Sequence, residues 1–472
     1  MKNIKIISLI LCLCMTAFMA VSCATCEHEY EKATLKEAKV LENGIAKYTC
    51  KFCNDSYEEE IPATRKIKVL AIGNSFSVDS MEYLWNMCND AGAEEVVLGN
   101  LYVGGCSLDT HYQNITNNKT AYTYYKNTSG KWETTKNVAL STALQEESWD
   151  IITIQQVSGD SGRADTYAVL SEIVNYVKEN KTNPDAEILW NMTWAYAQNS
   201  THGHFPRYNS DQNTMYSAIT DAVQSAVLTN TDIEGVIPTG TAVQNLRSSY
   251  VGDTLNRDNS HLSYSQGRYV AAMTWYAYLT GGKVEAVDWV PDEYGYIADD
   301  LDAIYEAVNN AIKSPFEATA SKFTDKKEIT DEERFKALGL DISDYEVLDW
   351  EPKVNALYNS TITMKLRDSE NAKDGMLPYT IASKMFTKET LPIGSVIIVD
   401  YEYQYRPEGW IEENKKNSSS TRPAQVTYPI TVIGEDWWEN YAFRAINLMH
   451  TGVRITLTEE DVNHLRIYVP KA

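Results

Sequence analysis

Continuous apolar runs alternate with segments of helical periodicity between about residues 65 and 283. The runs predict strands at residues 67–72, 95–103, 149–155, 186–194 and 235–238. The periodic segments predict helices at residues 79–91, 139–147, 165–180, 208–228 and 264–280. Strands without polar alternation are buried on both faces, which is typical of a parallel sheet covered by helices. The pattern therefore predicts an α/β domain over residues 65–283, with ligands bound at the carboxyl ends of the strands.

Other parts of the chain do not follow this alternation. Residues 109–141 are polar and rich in Asn, Thr and Tyr, which predicts a long irregular excursion. Residues 284–350 are expected to form a helix at residues 299–313 and a charged linker at residues 317–344. Short runs bounded by turn residues then predict an all-β, sandwich-like domain over residues 351–472. Its aromatic stretches, residues 406–410 and 437–438, fit a packed core better than a binding face.

A basic start followed by an apolar run opens the chain. Lys2 and Lys5 precede the apolar residues 6–19, and the tetrapeptide Ala-Val-Ser-Cys ends at Cys23. This beginning resembles bacterial lipoprotein signals, which implies a signal peptide of residues 1–22 and lipidation of the Cys23 sulfur. A plain secretory signal cut nearby is the alternative, followed by an uncleaved membrane anchor. We therefore expect an extracytoplasmic protein that meets the bacterial membrane only through its lipid anchor.

Residues 23–64 contain Cys and His with the spacing of a metal site. The pattern is Cys-x-His followed by Cys-x-x-Cys, and the residues are Cys26, His28, Cys50 and Cys53. Two short chelating pairs at this separation are what a tetrahedral site needs, so we expect structural zinc here. The segment resembles small Cys/His ribbon repeats of bacterial cell-surface proteins, although Leu35 stands where those repeats carry a cysteine. A disulfide from Cys50 to Cys53 or Cys26 is the alternative in an oxidising location.

The overall charge excludes one class of partner. The chain of 472 residues has 42 Lys and Arg against 65 Asp and Glu, for a formal net charge of -23. Such a surface repels phosphate backbones, so nucleic acid is not expected as a partner. The 31 Tyr and 11 Trp residues could stack on sugars, but ordinary core packing is their commoner use.

One serine stands where the nucleophile of an α/β enzyme is expected. The first strand stops at Gly73, and Ser75 follows two residues later, ahead of a predicted helix. A serine on such a turn lies above the carboxyl edge of the sheet, near backbone N–H groups that favour negative charge. This position suits attack on an ester, because the attack generates an oxyanion. We therefore predict that Ser75 is the nucleophile of an esterase.

A base for this serine is found just before the last predicted helix of the α/β domain. Asp258 precedes His261 by three residues, so the carboxylate can hold the far nitrogen of the imidazole. Among the seven histidines, His261 is the one with an acid at this spacing and a helix behind it. We expect His261 to act as the base and Asp258 to orient it.

Together, the motifs that follow the strands resemble the SGNH/GDSL hydrolase superfamily. They are Gly73-Asn74-Ser75-Phe76-Ser77, Gly104-Gly105, Gln155-Gln156 and Asp258-x-x-His261. The resemblance covers about residues 66–282. It implies a flavodoxin-like, three-layer αβα fold and a Ser75–His261–Asp258 triad that needs no cofactor for catalysis. It also implies that the oxyanion is bound by the backbone N–H groups of Ser75 and of Gly105 or Gly104.

Two of these motifs depart from the superfamily. Asn74 stands where an aspartate is usual, which keeps a turn-forming residue but not its charge. A glutamine after the third strand replaces the usual Gly-x-Asn-Asp, as in sialate O-acetylesterase-like carbohydrate esterases. The resemblance implies that the Gln155 amide donates to the oxyanion; Gln156 is the alternate, since strand alternation lets only one face the site. The residues expected to line the substrate cleft are Asn74, Gln156, Trp194 and His204.

Two further motifs suggest other chemistry. Residues 159–162 read Gly-Asp-Ser-Gly, as in some serine proteases, but those enzymes are built from β-barrels with their His and Asp upstream. His202-Gly203-His204 could bind metal, although its place after the fourth strand favours contact with substrate. We therefore expect an extracellular serine esterase that, by analogy, removes O-acetyl groups from carbohydrate. The alternatives are a non-catalytic carbohydrate-binding lipoprotein and a lipase- or thioesterase-like enzyme.

Overall fold

The structure is a computed structural model that describes most of the chain up to residue 348 and shorter parts after it. The described residues are 26–291, 297–326, 330–348, 363–365, 392–399, 430–434, 454–456 and 465–471. They divide into two compact units. The first holds the described residues of Met1–Asn245, Asp253–Asp288 and Ala307–Thr319, and the second holds those of Leu246–Gly252, Trp289–Glu306 and Ala320–Ala472.

Some predicted features lie outside the described residues. They include the signal segment, the lipidation site Cys23 and the aromatic residues 406–410 and 437–438. Cleavage and lipidation therefore stay predictions. No helix within the described ranges is long and apolar enough to cross a membrane.

A small antiparallel sheet of three strands comes first in the described chain. Its strands are β1 (Tyr30–Lys36), β2 (Gly44–Cys50) and β3 (Ser56–Ile61), with β2 in the middle. Gly44, Ala46 and Cys50 of β2 are buried, whereas β1 and β3 carry no buried residue. So little apolar burial leaves this sheet without a hydrophobic core of its own.

The larger sheet of the first unit has seven strands and is mostly parallel. The strands are β4 (Lys66–Gly73), β5 (Glu95–Tyr102), β6 (Tyr122–Asn127), β7 (Trp132–Val138), β8 (Ile151–Ile154), β9 (Glu187–Asn191) and β10 (Gly235–Ile237), in the order β10-β9-β8-β4-β5-β6-β7. The strands β4, β5, β8, β9 and β10 pair in parallel. Numbered along the chain, these five have the spatial order 2-1-3-4-5 of flavodoxin-like sheets. In that order ligands bind where the winding reverses, which here lies between β4 and β8.

The central strand β4 is buried as a strand covered on both faces should be. Val69, Leu70, Ala71 and Ile72 have no exposed surface, and every residue of its neighbour β8 is buried. Burial of a polar group without a hydrogen-bond partner costs free energy, and these buried stretches are apolar apart from Thr153 of β8, which is 2% exposed. The predicted α/β class is confirmed by the mostly parallel sheet, whose buried strands have the consecutive apolar residues expected of strands covered on both faces.

Helices that belong wholly or mostly to the first unit pack in two groups. The helices are α1 (Ser75–Met81), α2 (Leu84–Asp90), α3 (Leu108–Thr116), α4 (Leu140–Glu146), α5 (Leu170–Asn180), α6 (Gln212–Ala222), α7 (Thr239–Arg247) and α8 (Gln266–Thr280). α1 and α2 each contact α8, whereas α3, α4 and α5 contact one another. Two such groups are compatible with a three-layer arrangement, in which helices shield both faces of a sheet.

The first helix differs from the sequence prediction. One helix was expected at residues 79–91, but the structure has α1 and α2, and α1 already begins at Ser75. The earlier start follows from Asn74, whose side chain accepts a hydrogen bond from the Phe76 N–H group and so caps the helix. The nucleophile candidate therefore lies on the first turn of the helix itself.

The prediction of an irregular excursion at residues 109–141 is wrong. The segment contains most of α3 and the hairpin of β6 and β7, which extends the central sheet by two antiparallel strands. Tyr122, Tyr124 and Asn127 of β6 are buried, whereas the polar β7 is exposed apart from the half-buried Trp132 and the buried Val138. Tyrosine at alternating positions is a strand signal that the high Asn and Thr content obscured.

The second unit holds mainly short strands. They are β11 (Tyr345–Val347), β12 (Thr363–Lys365), β13 (Val396–Val399), β14 (Ile430–Val432), β15 (Arg454–Thr456) and β16 (Leu465–Pro470), and their sheets have the orders β11-β16-β13-β14 and β12-β15. The helix α9 (Leu301–Lys313), which belongs to this unit only up to Glu306, falls within the helix predicted at residues 299–313. The predicted linker contains α10 (Asp331–Ala337), which begins with a capping box of Thr330 and Glu333. The β-sandwich architecture stays a prediction.

A buried histidine should make the first unit sensitive to acid. His111 of α3 has no exposed surface, its Nδ1 lies 2.9 Å from the Tyr122 hydroxyl, and burial lowers its pKa from 6.5 to about 4. Because the unfolded chain takes up this proton at higher pH than the folded chain, stability is full above pH 6.5 and is lost as the pH falls towards 4. We expect the free energy of unfolding to decrease by about 1.4 kcal/mol per pH unit in that window through this residue.

Urea titrations of wild type and His111→Gln at pH 7 and pH 5 would measure this effect. The difference between the two proteins removes the contribution of the other titrating groups. We expect wild type to lose more stability than the variant on acidification. Equal losses would contradict the assignment of a neutral buried His111.

Candidate active site

Ser75 lies directly beyond the carboxyl end of β4, on the first turn of α1. The Asn74 side-chain oxygen accepts the Phe76 N–H at 3.0 Å, which fixes the turn from strand to helix. Gly73 allows the close approach of this turn, because a Cβ atom there would lie 2.5 Å from Ser77 Oγ. The predicted strand-to-helix turn is therefore present, with Ser75 half-buried.

His261 and Asp258 lie within hydrogen-bond reach of one another and of Ser75. The His261 Nε2 atom is 2.8 Å from Ser75 Oγ, and its Nδ1 atom is 2.8 Å from Asp258 Oδ2. The serine and the histidine are 186 residues apart in the chain, so the fold and not local sequence brings them together. The result is one continuous chain of hydrogen bonds from the serine hydroxyl to the carboxylate.

The local backbone holds Asp258 in its ionised form. Asp258 Oδ1 accepts the backbone N–H groups of Ser260 at 2.8 Å and His261 at 2.7 Å. Burial acts to raise the pKa of Asp258, but the bonds from the His261 ring and from these two N–H groups lower it well below its usual range. A carboxylate that stays charged can accept the Nδ1–H group of His261 and direct Nε2 towards Ser75.

A buried carboxylate on α1 connects the helix of Ser75 to the loop of His261. Asp79 has no exposed side-chain surface and accepts bonds from Arg257 at 2.9 and 3.0 Å, from Arg268 Nε at 2.9 Å and from the Leu262 N–H at 2.9 Å. Arg257 and Leu262 flank the segment that carries Asp258 and His261. The Asp79 carboxylate therefore sets the distance between the two halves of the candidate triad.

A chain of buried side chains joins the carboxyl ends of β4, β8 and β9. Gln155 Nε2 donates to Asn74 Oδ1 at 3.0 Å, Asn191 Nδ2 donates to Gln155 Oε1 at 2.9 Å, and Thr239 donates to Asn191 Oδ1 at 2.7 Å. None of these four side chains is more than 1% exposed. The Gln155 amide thus connects strand ends, a position that does not fit its predicted role as an oxyanion donor.

Three residues predicted for the substrate cleft are instead buried. Gln156 Oε1 accepts the N–H of Leu108 at 3.1 Å, at the start of α3, and Asn74 is only 1% exposed. Trp194 has no exposed surface; its ring stacks on Phe76 at 4.1 Å, and its Nε1–H group donates to Ser260 O at 2.9 Å. These positions support the nucleophile turn and the His261 loop rather than an open cleft.

Two backbone N–H groups are available for an oxyanion. Gly105 is exposed and has a φ of +62, a conformation that glycine adopts without strain. Asn74 Nδ2 donates to Cys106 O at 3.0 Å and so attaches this glycine loop to the nucleophile turn. Within the described part of the chain, neither Ser75 N–H nor Gly105 N–H has a hydrogen-bond acceptor.

The histidine loop after β9 lies beside the candidate triad. Thr201 N–H donates to Asn259 Oδ1 at 2.9 Å, which joins this loop to the segment between Asp258 and His261. Burial lowers the pKa of His202, and the neighbouring His204 and His261 lower it further. His204 is half-buried, with its N–H donating to His202 Nδ1 at 3.2 Å. His202 was not predicted to line the cleft, and it lies on the same loop as His204, which Thr201 and Asn259 join to the segment of the triad.

The predicted metal ligands also come together, in the small sheet. The ligand atoms of Cys26, His28, Cys50 and Cys53 all lie within 4.8 Å of one another.

Sequence reasoning missed Asp79, Arg257, Arg268 and Asn191. The sequence gives little indication of their roles, because the residues that these side chains contact lie on distant elements of the chain.

Comparison with known proteins places this site in a family. A family model described as "Domain of unknown function (DUF4886)" matches residues 68–305. The chain belongs to the DUF4886 family. Its DUF4886 domain contains Ser75, Asp258 and His261, whereas the Cys/His segment precedes the domain.

Two solved structures are similar to parts of the chain. A DUF4886 family protein from Bacteroides uniformis is 41% identical over 55% of this chain and 100% of its own, with a TM-score of 0.53. A protein from Slackia heliotrinireducens, described as a candidate SGNH hydrolase, is 19% identical over 46% of this chain and 100% of its own, with a TM-score of 0.30. No curated protein matches the chain.

Proposed function

We propose that the DUF4886 domain of this protein is a serine esterase, with Ser75 as nucleophile, His261 as general base and Asp258 as its orienting acid. The observation that carries this proposal is the pair of 2.8 Å hydrogen bonds that join Ser75 Oγ, the His261 ring and Asp258 Oδ2. A Ser-His-Asp hydrolase needs these contacts in this order. Further support comes from the position of Ser75 beyond the first parallel strand, at the reversal point of the sheet.

The proposed reaction proceeds through an acyl-enzyme. His261 Nε2 takes the proton of Ser75 Oγ as this oxygen attacks the acyl carbon. The tetrahedral intermediate collapses when His261 gives the proton to the alcohol oxygen, which breaks the ester C–O bond and leaves the acyl group on Ser75. A water molecule then attacks this acyl group while His261 takes its proton. Release of the acid returns the proton to Ser75 Oγ.

The negative charge of the intermediate needs fixed donors. The N–H groups of Ser75 and Gly105 are the proposed donors, since both lie on turns attached to Asn74. Asn74 is a positioning residue in this scheme, because its side chain connects the turn of Ser75 with the glycine loop. Loss of one such donor typically raises the barrier by about 3 kcal/mol.

The surroundings favour a small acyl group on a polar alcohol, and we propose O-acetylated carbohydrate as the substrate. The loops beside His261 carry hydrogen-bonding groups such as His202, His204 and an Arg207–Asp160 pair at 2.5 Å. Large hydrophobic side chains exposed within the described residues, from Leu35 to Val432, all lie outside the site segments at residues 74–77, 104–108, 155–162, 194–208 and 253–265. A lipase would need an apolar surface beside its nucleophile to bind a long acyl chain.

Active-site labelling combined with an acyl-chain series would test this function. A fluorophosphonate should label one residue of the purified chain, and peptide mass spectrometry should assign it to Ser75. The control is Ser171→Ala, which removes an exposed hydroxyl on α5 and should label normally. Among p-nitrophenyl esters, acetate should have the highest kcat/KM, and acetate should be released from O-acetylated sugars.

Other results of these assays would support a binding protein or an esterase with a preference for longer acyl chains. Absence of labelling, with acetyl ester hydrolysis equal in wild type and Ser75→Ala, would contradict an esterase and support a binding protein. A kcat/KM that rises with acyl length would contradict the acetyl preference while leaving the triad in place.

A further inference from the structure

The small sheet of β1, β2 and β3 is ordered without a hydrophobic core. Its buried residues are confined to β2, and large apolar side chains such as Leu35, Phe52 and Tyr57 are 47% exposed or more. Segments of this size rarely fold on apolar burial alone and usually depend on a disulfide or a metal. The sheet therefore needs a stabilising link other than packing.

Four potential metal ligands converge where β2 ends. Cys26 precedes β1, His28 lies two residues further, Cys50 ends β2 and Cys53 lies on the turn to β3. Their ligand atoms lie within 4.8 Å of one another. Cys26 and His28 form one pair and Cys50 and Cys53 the other, so a shared metal ion would link the beginning of β1 to the turn between β2 and β3.

Two of the six separations between the ligand atoms fit one tetrahedral metal ion, and all six are 4.8 Å or less. With zinc–sulfur bonds of about 2.3 Å and zinc–nitrogen bonds of about 2.0 Å, tetrahedral geometry puts two sulfurs about 3.8 Å apart and a sulfur and nitrogen about 3.5 Å apart. The observed separations are 3.7 Å between the sulfurs of Cys26 and Cys50 and 3.5 Å between Cys53 Sγ and His28 Nδ1. A disulfide would need its sulfurs about 2.0 Å apart, and all three cysteines are free.

The surroundings of the cluster suit a bound cation. The backbone N–H of Phe52 points at Cys50 Sγ at 3.4 Å, a bond that stabilises a thiolate ligand. Asp55 Oδ2 lies 3.8 Å from His28 Nδ1 and accepts a 2.5 Å hydrogen bond from the Tyr30 hydroxyl. Three sulfurs, one imidazole and a nearby carboxylate form a donor set of the kind that zinc prefers over magnesium or calcium.

We propose that Cys26, His28, Cys50 and Cys53 bind one structural Zn²⁺ ion that holds the small sheet together. The site is closed by four protein ligands, so it leaves no position for a substrate. The sheet also contacts the DUF4886 domain, since Leu41 N–H donates to Thr280 O at 2.9 Å, at the end of α8. Zinc would therefore fix a segment that packs directly on this domain.

Metal analysis of the full purified chain tests the proposal without any activity assay. Mass spectrometry of the elements should find one zinc per chain, and a mercurial reagent should release it as it modifies three thiols. Cys53→Ser and His28→Ala should each lose most of the zinc. His28→Cys should restore it, because a fourth thiolate completes the same tetrahedron.

The matched control is Phe52→Ala, between the ligands Cys50 and Cys53. The Phe52 ring is 69% exposed and only its backbone contacts the site, so this variant should keep one zinc per chain. Should a ligand variant fail to fold, chelator treatment of wild type remains informative: it should lower the melting temperature, and added Zn²⁺ should restore it. A zinc-free chain with a disulfide at Cys50, with three free thiols or with bound iron would overturn the proposal.

Discussion

Replacing Ser75 with alanine is expected to lower kcat for acetyl ester hydrolysis by a factor of about 10⁴ to 10⁶. The physical reason is that Ser75 Oγ is the only group held at 2.8 Å from His261 Nε2 within the described residues. Without it no acyl-enzyme forms, and the remaining rate comes from substrate binding and oxyanion donors alone. The change in KM should be small, since the methyl group of alanine removes a reacting atom rather than a binding surface. Initial rates with p-nitrophenyl acetate, corrected for the uncatalysed rate, would measure both constants.

If Ser75 and His261 belong to one catalytic triad, the losses of activity caused by replacing each of them should not add. His261→Ala should cost about as much as Ser75→Ala, and the double variant should cost hardly more, because the two residues act in one step. The control is Ser171→Ala, whose rate should equal that of wild type. Additive losses in the double variant, or more than a tenth of the activity in Ser75→Ala, would contradict nucleophilic catalysis by Ser75.

The parallel part of the fold could be predicted from the sequence because its signals are local. The runs that became β4, β5, β8 and β9 are apolar at consecutive positions, and Gly73 marks the end of β4. The hairpin of β6 and β7 was obscured, because an edge hairpin needs few apolar residues, its local signal is limited to the alternating tyrosines of β6, and its pairing with β5 depends on the tertiary fold. The start of α1 was misplaced because capping by Asn74 outweighs the weak helix preference of the residues after it.

The candidate site also contains residues whose roles could be predicted from the sequence and residues whose roles could not. Asp258 and His261 are three residues apart, so their contact could be inferred from spacing, and the place of Ser75 follows from the strand before it. The roles of Gln155 and Trp194 could not be inferred, since a polar or aromatic residue at a strand end can face the cleft or the interior. Their partners decide this: Gln155 is bonded to Asn74 from 81 residues away, and Trp194 to Ser260 from 66 residues away.

Asp79 is the residue whose loss should most affect both stability and catalysis without touching substrate. Asp79→Asn keeps the shape of the side chain but removes the charge that faces Arg257 and Arg268, both of which stack on Tyr264 at 4.6 Å. Breaking a buried ion pair on one side typically costs about 3 to 5 kcal/mol of folding stability, because it leaves uncompensated charge. The loop of Asp258 and His261 should then shift relative to Ser75, and a displacement of about 1 Å can lower kcat by about 10²-fold. Urea unfolding and steady-state kinetics would measure the two effects.

A matched variant distinguishes a role of Asp79 in positioning the His261 loop from a general loss of folding stability. Glu82 pairs with Arg268 at 3.2 Å on the same helix end, so Glu82→Gln removes a charge of the same sign while Asp79 keeps its bonds to Arg257 and Leu262. We expect Glu82→Gln to retain kcat within about threefold, since the Glu82 side chain is 32% exposed and Arg268 keeps its bond to Asp79. In Asp79→Asn, kcat should fall while KM stays near the wild-type value, because the loop carries the base rather than a binding group. A variant that is destabilised yet keeps the wild-type kcat would limit Asp79 to folding, and the distance between Ser75 and His261 would then have to be held by Trp194 and Asn256 through their bonds to Ser260.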